Sequence, residues 1–187
     1  MTNQNQSGFS PTDPAANSDQ VAEPLPSVSR KPKLLVSVRN LEEFRSVRDV
    51  GVDVIDLKEP RNGPLAPVDP SIWNDAAGEL GPSRGPRRSL LSAALGESAD
   101  ARNVARDVPA SFSFAKVGPS GCARRSHLRR MWGAVRAELD DQIELVAVAY
   151  ADSDHADCLT PEQVFTEAAD AGFRWCLIDT YTKNGQS

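Results

Sequence analysis

Lys33–Leu57 reads KLLVSVRNLEEFRSVRDVGVDVIDL, and it holds one complete repeat of the domain's pattern. Lys33–Val38 is a short apolar run rich in strand-forming residues. Asn40 can cap a helix, and Leu41, Phe44, Val47 and Val50 then recur at helical spacing until Gly51 ends it. Val52–Leu57 (VDVIDL) is a second strand. No hairpin signal joins the two strands, so the helix is a crossover and the strands run parallel. The residues after the first strand are Ser37, Val38, Arg39 and Asn40. No GxGxxG stands there, which argues against a dinucleotide-binding open sheet.

The same alternation continues toward the C-terminus. Pro60, Asn62, Gly63 and Pro64 mark a loop, a helix covers Pro70–Leu80, and a Gly/Pro/Arg loop runs through Arg87. Ser89–Leu95 is a third strand, Ser98–Val108 a helix, Ser111–Val117 a fourth strand and Gly121–Leu139 a long helix. Ile143–Tyr150 is the most apolar strand. Thr160, with Pro161 and Gln163 behind it, opens a helix to Ala171. Phe173–Asp179 is a sixth strand, in which Cys176 is read as a core residue.

Strands apolar on both faces, alternating with helices, predict α/β architecture with a buried parallel sheet. Between an open doubly wound sheet and a closed TIM-type (β/α)8 barrel, the missing glycine fingerprint favours the barrel. A barrel needs eight strands over roughly 200–250 residues, and this chain has 187. We therefore expect a barrel truncated after its sixth strand, over residues 32–187. Residues 1–31 are rich in Asn, Gln, Ser, Asp and Pro. Such a segment lacks the apolar surface to offset the entropy of ordering, so a disordered tail is expected there.

Composition narrows the function classes. The chain is 40% hydrophobic and 25% charged, with 21 basic and 26 acidic side chains and a net charge of −5. That balance points away from nucleic acid and from an anionic membrane surface. No apolar run approaches the roughly 18 residues of a membrane span, and the first residues lack the basic lead and apolar core of a secretory signal. The three cysteines, Cys122, Cys158 and Cys176, show no CxxC spacing. They read as reduced thiols of a cytoplasmic protein, with neither a disulfide framework nor a zinc site.

In a barrel, the C-terminal ends of the strands face the active site. The second strand ends Asp56-Leu57-Lys58, and period-two alternation turns Asp56 and Lys58 to one face. The fourth ends in Lys116, and the sixth in Asp179 with Lys183 just beyond. Asp152 lies nearest the end of the fifth. A lysine in a low-dielectric mouth beside another ammonium has its pKa lowered. Its free amine can then attack a carbonyl to form a Schiff base. The plainer alternative is that each lysine simply pairs with an aspartate at a solvated strand end.

The runs LLVSVRNLEEF, GVDVIDLKEPRNGPLAP, SAALGE, FAKVG, VAVAYAD and GFRWCLIDTYTKNGQS occur in that order from Leu34 to Ser187. Together they resemble the (5-formylfuran-3-yl)methyl phosphate synthase family of methanofuran biosynthesis. The resemblance implies a barrel-shaped lyase that joins two molecules of glyceraldehyde 3-phosphate with loss of one phosphate and water. It implies Lys58 as the Schiff-base lysine and Lys116 as proton acceptor. Asp56, Asp179 and Lys183 match other polar positions of that site, and Asp152 joins them as a candidate substrate-binding residue. It implies no cofactor and no metal, a phosphorylated aldehyde as partner, a place in one-carbon metabolism, and self-association of a complete barrel. Another Schiff-base aldolase acting on a phosphosugar would also use Lys58, and a chain ending after six strands admits a non-catalytic remnant.

Other features are set aside. Asp152, Asp154, His155 and Asp157 form an acidic knot whose spacing fits neither an EF-hand nor a two-His metal site. Arg124, Arg125, Arg129, Arg130 and Arg136 crowd one helix and read as a solvated face. His127 and His155 lack the serine context of a hydrolase.

Overall fold

The computed structural model describes residues 32–81 and 89–183. The expected tail at 1–31 and most of the loop through Arg87 lie outside the described residues. Twelve elements follow in order: β1 (Leu35–Val38), α1 (Leu41–Arg48), β2 (Val54–Leu57), a 3-10 turn (Pro60–Asn62), α2 (Pro70–Leu80), β3 (Leu90–Glu97), α3 (Ala101–Ala105), β4 (Phe114–Gly118), α4 (Arg125–Arg136), β5 (Glu144–Tyr150), α5 (Pro161–Asp170) and β6 (Cys176–Asp179).

Helix starts follow from local chemistry. The Asn40 side chain accepts the Glu43 N–H, and Glu43 returns a bond from the Arg39 N–H, at 2.9 and 2.8 Å. Asp69 accepts the Ser71 N–H ahead of Pro70. Thr160 and Gln163 bond reciprocally in a capping box, with Pro161 in the first turn. Two helices are markedly shorter than their sequence suggests: α4 spans Arg125–Arg136 rather than Gly121–Leu139, and α3 covers less than half of Ser98–Val108. In α3 only Ala101–Ala105 is α-helical, because Asp100 makes no side-chain cap and Pro109 follows closely.

The six strands form one sheet in the order β1-β2-β3-β4-β5-β6, and every neighbouring pair is parallel. The order never reverses, so the doubly wound alternative is excluded; that arrangement places later strands on the other side of the first. The sheet is strongly curled. In a flat sheet β2 and β6 would stand about 19 Å apart, at about 4.8 Å per strand. Yet Lys58 Nζ, just past β2, lies 3.7 Å from Asp179 Oδ2 on β6.

Alternation gives the curled sheet two different faces. Ile55, Leu57, Ala93, Leu95, Ala115, Val117, Leu145, Ala147 and Ala149 point outward into the main core, where Phe44, Trp73, Leu128 and Val164 of the helices meet them. Trp73 also packs edge-on against Phe112, centroids 6.3 Å apart. Ala94, Val148 and Tyr150 point inward and form a second cluster with Leu65 and Ala156. Leu65 comes from the β2–α2 loop. That loop is tied down by Glu59 N–H to Ala66 O and Gly96 N–H to Leu65 O, at 2.9 and 2.8 Å.

Part of the arginine-rich face of α4 is not simply solvated. Arg125 and Arg129 pair with Glu167 of α5, whose side chain is buried, so these charges join two helices. Arg136 donates to the backbone carbonyls of Ile143 and Asp140. Cys176 departs from its expected place in the core. It is exposed: among the described residues β6 pairs only with β5, which leaves it at the edge of the sheet. No helix among the described residues is long and apolar enough to cross a membrane.

Candidate active site

The inward side chains at the strand ends make two linked ion clusters. Asp56 is fully buried at the centre of β2, and the register sets Ser37 of β1 and Ser92 of β3 beside it. Its Oδ2 accepts the Ser37 hydroxyl at 3.0 Å and meets Lys116 Nζ of β4 at 2.6 Å. Its Oδ1 has no hydrogen-bond partner among the described residues. Lys116 is only 4% exposed. Burial pushes its pKa below the ordinary lysine value, more strongly than Asp56 holds it up, and the nearby Lys58 charge pushes the same way. A buried amine that gives up its proton readily can act as a base.

The second cluster lies closer to solvent. Lys58 Nζ sits 3.4 Å from the Pro64 carbonyl and 3.7 Å from Asp179 Oδ2. Lys183 reaches the other oxygen of Asp179 and also the Thr180 hydroxyl. Burial alone would raise the Asp179 pKa. The bonds from Lys183 and the Thr180 N–H, with the charges of Lys58 and Lys183, outweigh it and hold the carboxyl low. A carboxylate shared by two ammonium groups orients both.

Asp152 plays a different part in the geometry. Its two oxygens accept the backbone N–H groups of Tyr181 and Thr182, at 2.6 and 2.9 Å. These bonds overcome burial and draw its pKa down to about 2. Asp152 thereby fixes the segment that carries Lys183. Beneath the lysines lies an apolar hollow of about 160 Å³, lined among others by Leu35, Val54, Phe114, Val146 and Leu177. Lys58, Lys116, Asp56, Asp179 and Lys183 thus share one end of the concave face, with Asp152 beside them.

A family model described as 4-HFC-P synthase matches residues 34–187. The chain belongs to the 4-HFC-P synthase family. It is 31% identical to the (5-formylfuran-3-yl)methyl phosphate synthase of Methanocaldococcus jannaschii, over 82% of this chain and 67% of that protein. It is 28% identical to the protein of that name from Methanopyrus kandleri, over 83% of this chain and 67% of the relative. The Methanothermobacter thermautotrophicus synthase is 26% identical over 82% of this chain and 66% of its own length. The chain spans about two thirds of the length of these curated relatives. The resemblance read from the DLKEP and FAKVG runs is therefore borne out at the level of family.

Sequence reasoning passed over Ser37, Tyr150 and Glu97. Tyr150 is fully buried and donates its phenol to Glu97 Oε1 at 2.6 Å, across β4. Glu97 escapes because the sequence pattern ends the third strand at Leu95; carried through Gly96, the strand contains a glycine that marks a bulge.

Proposed function

We propose that this chain carries the lysine centre of a (5-formylfuran-3-yl)methyl phosphate synthase. In this reading the six strands belong to a (β/α)8 barrel. The enzyme is a cytoplasmic lyase that condenses two molecules of glyceraldehyde 3-phosphate and needs no cofactor. The observation that carries the reading is the pair of lysines on one concave face. Lys116 is buried against Asp56, and Lys58 stands nearer the opening against Asp179.

The chemistry follows from these positions. The Lys58 amine adds to the aldehyde carbonyl and water leaves, giving a protonated imine. The imine acidifies the neighbouring C–H, and neutral Lys116 takes that proton, leaving an enamine that can attack the second aldehyde. Asp179 orients Lys58 and Lys183, and Lys183 offers its charge to a substrate phosphate. Asp56 stabilises Lys116 once it has gained the proton. Asp152 holds the Lys183 segment in place. Loss of one phosphate and of water completes the furan. The names of the relatives support the product, a furan phosphate. A complete barrel of this type is expected to self-associate.

The test is covalent trapping. Incubated with glyceraldehyde 3-phosphate and reduced with borohydride, the protein should gain one adduct, mapped to Lys58 by mass spectrometry. An adduct on another lysine, or none, refutes the assignment.

A further inference from the structure

Glu97 occupies the inner face only because β3 is irregular. Ala94 pairs with Lys116, but the next pairing is Glu97 with Gly118, so three residues of β3 span two of β4. Ala94 faces inward and Leu95 outward. Strict alternation would then turn Gly96 inward and Glu97 outward. The extra residue, with Gly96 at φ +84°, reverses this and sends Glu97 to the side of Lys116. Bulges of this kind re-aim side chains beside active sites.

Two neighbours then fix the carboxyl group. Tyr150 donates to Oε1 at 2.6 Å, and the Ser120 N–H donates to Oε2 at 3.2 Å. Gly118 leaves the space: a methyl group there would overlap the Glu97 carboxyl. Tyr150 is also the register partner of Asp179, the carboxylate that faces Lys58. A half-buried acid is thus held at the end of the concave face that carries both lysines, and the mechanism above gives it no task.

We propose that Glu97 is the general acid that protonates a departing hydroxyl of the Lys58-bound intermediate, with Tyr150 as its positioning residue. The inference rests on the Schiff-base reading. In the step, the C–O bond breaks and its electron pair leaves with oxygen. The Glu97 proton joins that oxygen, which departs as water. The adjacent C–H bond gives its proton to neutral Lys116, and its electron pair forms the C=C bond. Glu97 ends as carboxylate and Lys116 as ammonium. Proton return from Lys116 to Glu97 restores both, and no redox partner is needed.

Electrostatics act in the direction a general acid needs. Burial pushes the Glu97 pKa up, against the bonds from Tyr150 and Ser120, and the Asp179 charge adds to the rise. Among the described residues, the titratable groups that interact directly with it are Tyr150 on β5, Asp179 on β6, Cys122 after β4 and Cys158 after β5, with Lys58 and Lys116 farther along the same face. Burial pushes up the Tyr150 phenol and the Cys122 thiol, and the Cys158 thiol rises to about 11. Of these four, Asp179 is the one charged at neutral pH.

The experiment scores two events separately, the trapped adduct and furan release. Glu97→Gln should keep the borohydride-trapped adduct on Lys58, which also reports folding, while furan formation falls roughly 10²–10⁴-fold. Gly118→Ala should do the same by displacing the carboxyl. Tyr150→Phe removes a bond that lowers the Glu97 pKa, so the high-pH fall in rate should move to higher pH. Furan formation within a few-fold of the parent in Glu97→Gln overturns the inference, as does a Tyr150→Phe rate lowered at every pH with its limb unmoved. An unmodified protein that forms no Lys58 adduct overturns the Schiff-base reading itself, and the inference falls with it.

Discussion

Lys116 and Asp56 are held by each other, and this makes each hard to change alone. Asp56 is fully buried, Lys116 is 4% exposed, and their atoms meet at 2.6 Å. Removing one partner of such a pair strands a charge in low dielectric, at a cost of about 3–5 kcal/mol. Lys116→Met should therefore lower stability by about that much as well as stop proton transfer. Adding Asp56→Asn should recover most of the stability and none of the turnover. Urea unfolding of the parent, the single and the double variants decides it; a single variant as stable as the parent would refute the coupling. The inward direction of Asp56 and Lys58 was legible from period two. The partners were not. Asp56 pairs with Lys116 rather than Lys58 because β3 separates β2 from β4 and the curl closes the gap, and no local pattern in the sequence records that curvature.

At the scale of elements, the strand ends carry the departures from regularity, and β3 carries the largest. Its sequence suggested an end at Leu95, whereas the strand runs to Glu97 through the bulge. Gly96 takes φ +84°, and an added Cβ would also stand 3.5 Å from Pro67 Cδ. A left-handed backbone at a non-glycine residue costs about 1–2 kcal/mol. Gly96→Ala should thus lower the unfolding free energy by about that amount and reduce furan formation, because the strain can be relieved by undoing the bulge and turning Glu97 outward. Gly118→Ala makes the informative contrast. Its φ is unstrained, and its methyl meets the end of a flexible side chain, so it should cost activity with little stability. Equal unfolding midpoints for parent and Gly96→Ala would contradict this account of β3. Most helix positions were legible because caps and prolines are local signals. The bulge was foreshadowed only by a lone glycine, and α3 lost residues at both ends because its neighbours fail to cap it.

At the scale of the molecule, the strand order and the exposed residues make one argument. Among the described residues, β1 and β6 each pair on one side only. Leu34 and Leu35 are 57% and 45% exposed at one edge, and Trp175 and Ile178 are 43% and 58% exposed at the other. Main-chain groups along such edges can pair with another chain, and covering one large apolar side chain is worth about 1.5–3 kcal/mol. The 187 residues on their own should therefore self-associate through these edges. A charge placed on an edge opposes that pairing, since it would have to be buried or set against its copy. Ile178→Lys with Leu34→Lys should shift the population toward monomer without touching the lysine centre. Both positions lie away from the concave cluster of Leu65, Ala94, Val148 and Tyr150, so the Lys58 adduct should still form in the variant. Sedimentation velocity over a range of concentrations reads the first outcome and mass spectrometry the second. A parent chain that stays monomeric at high concentration would mean that the edges are covered within these residues.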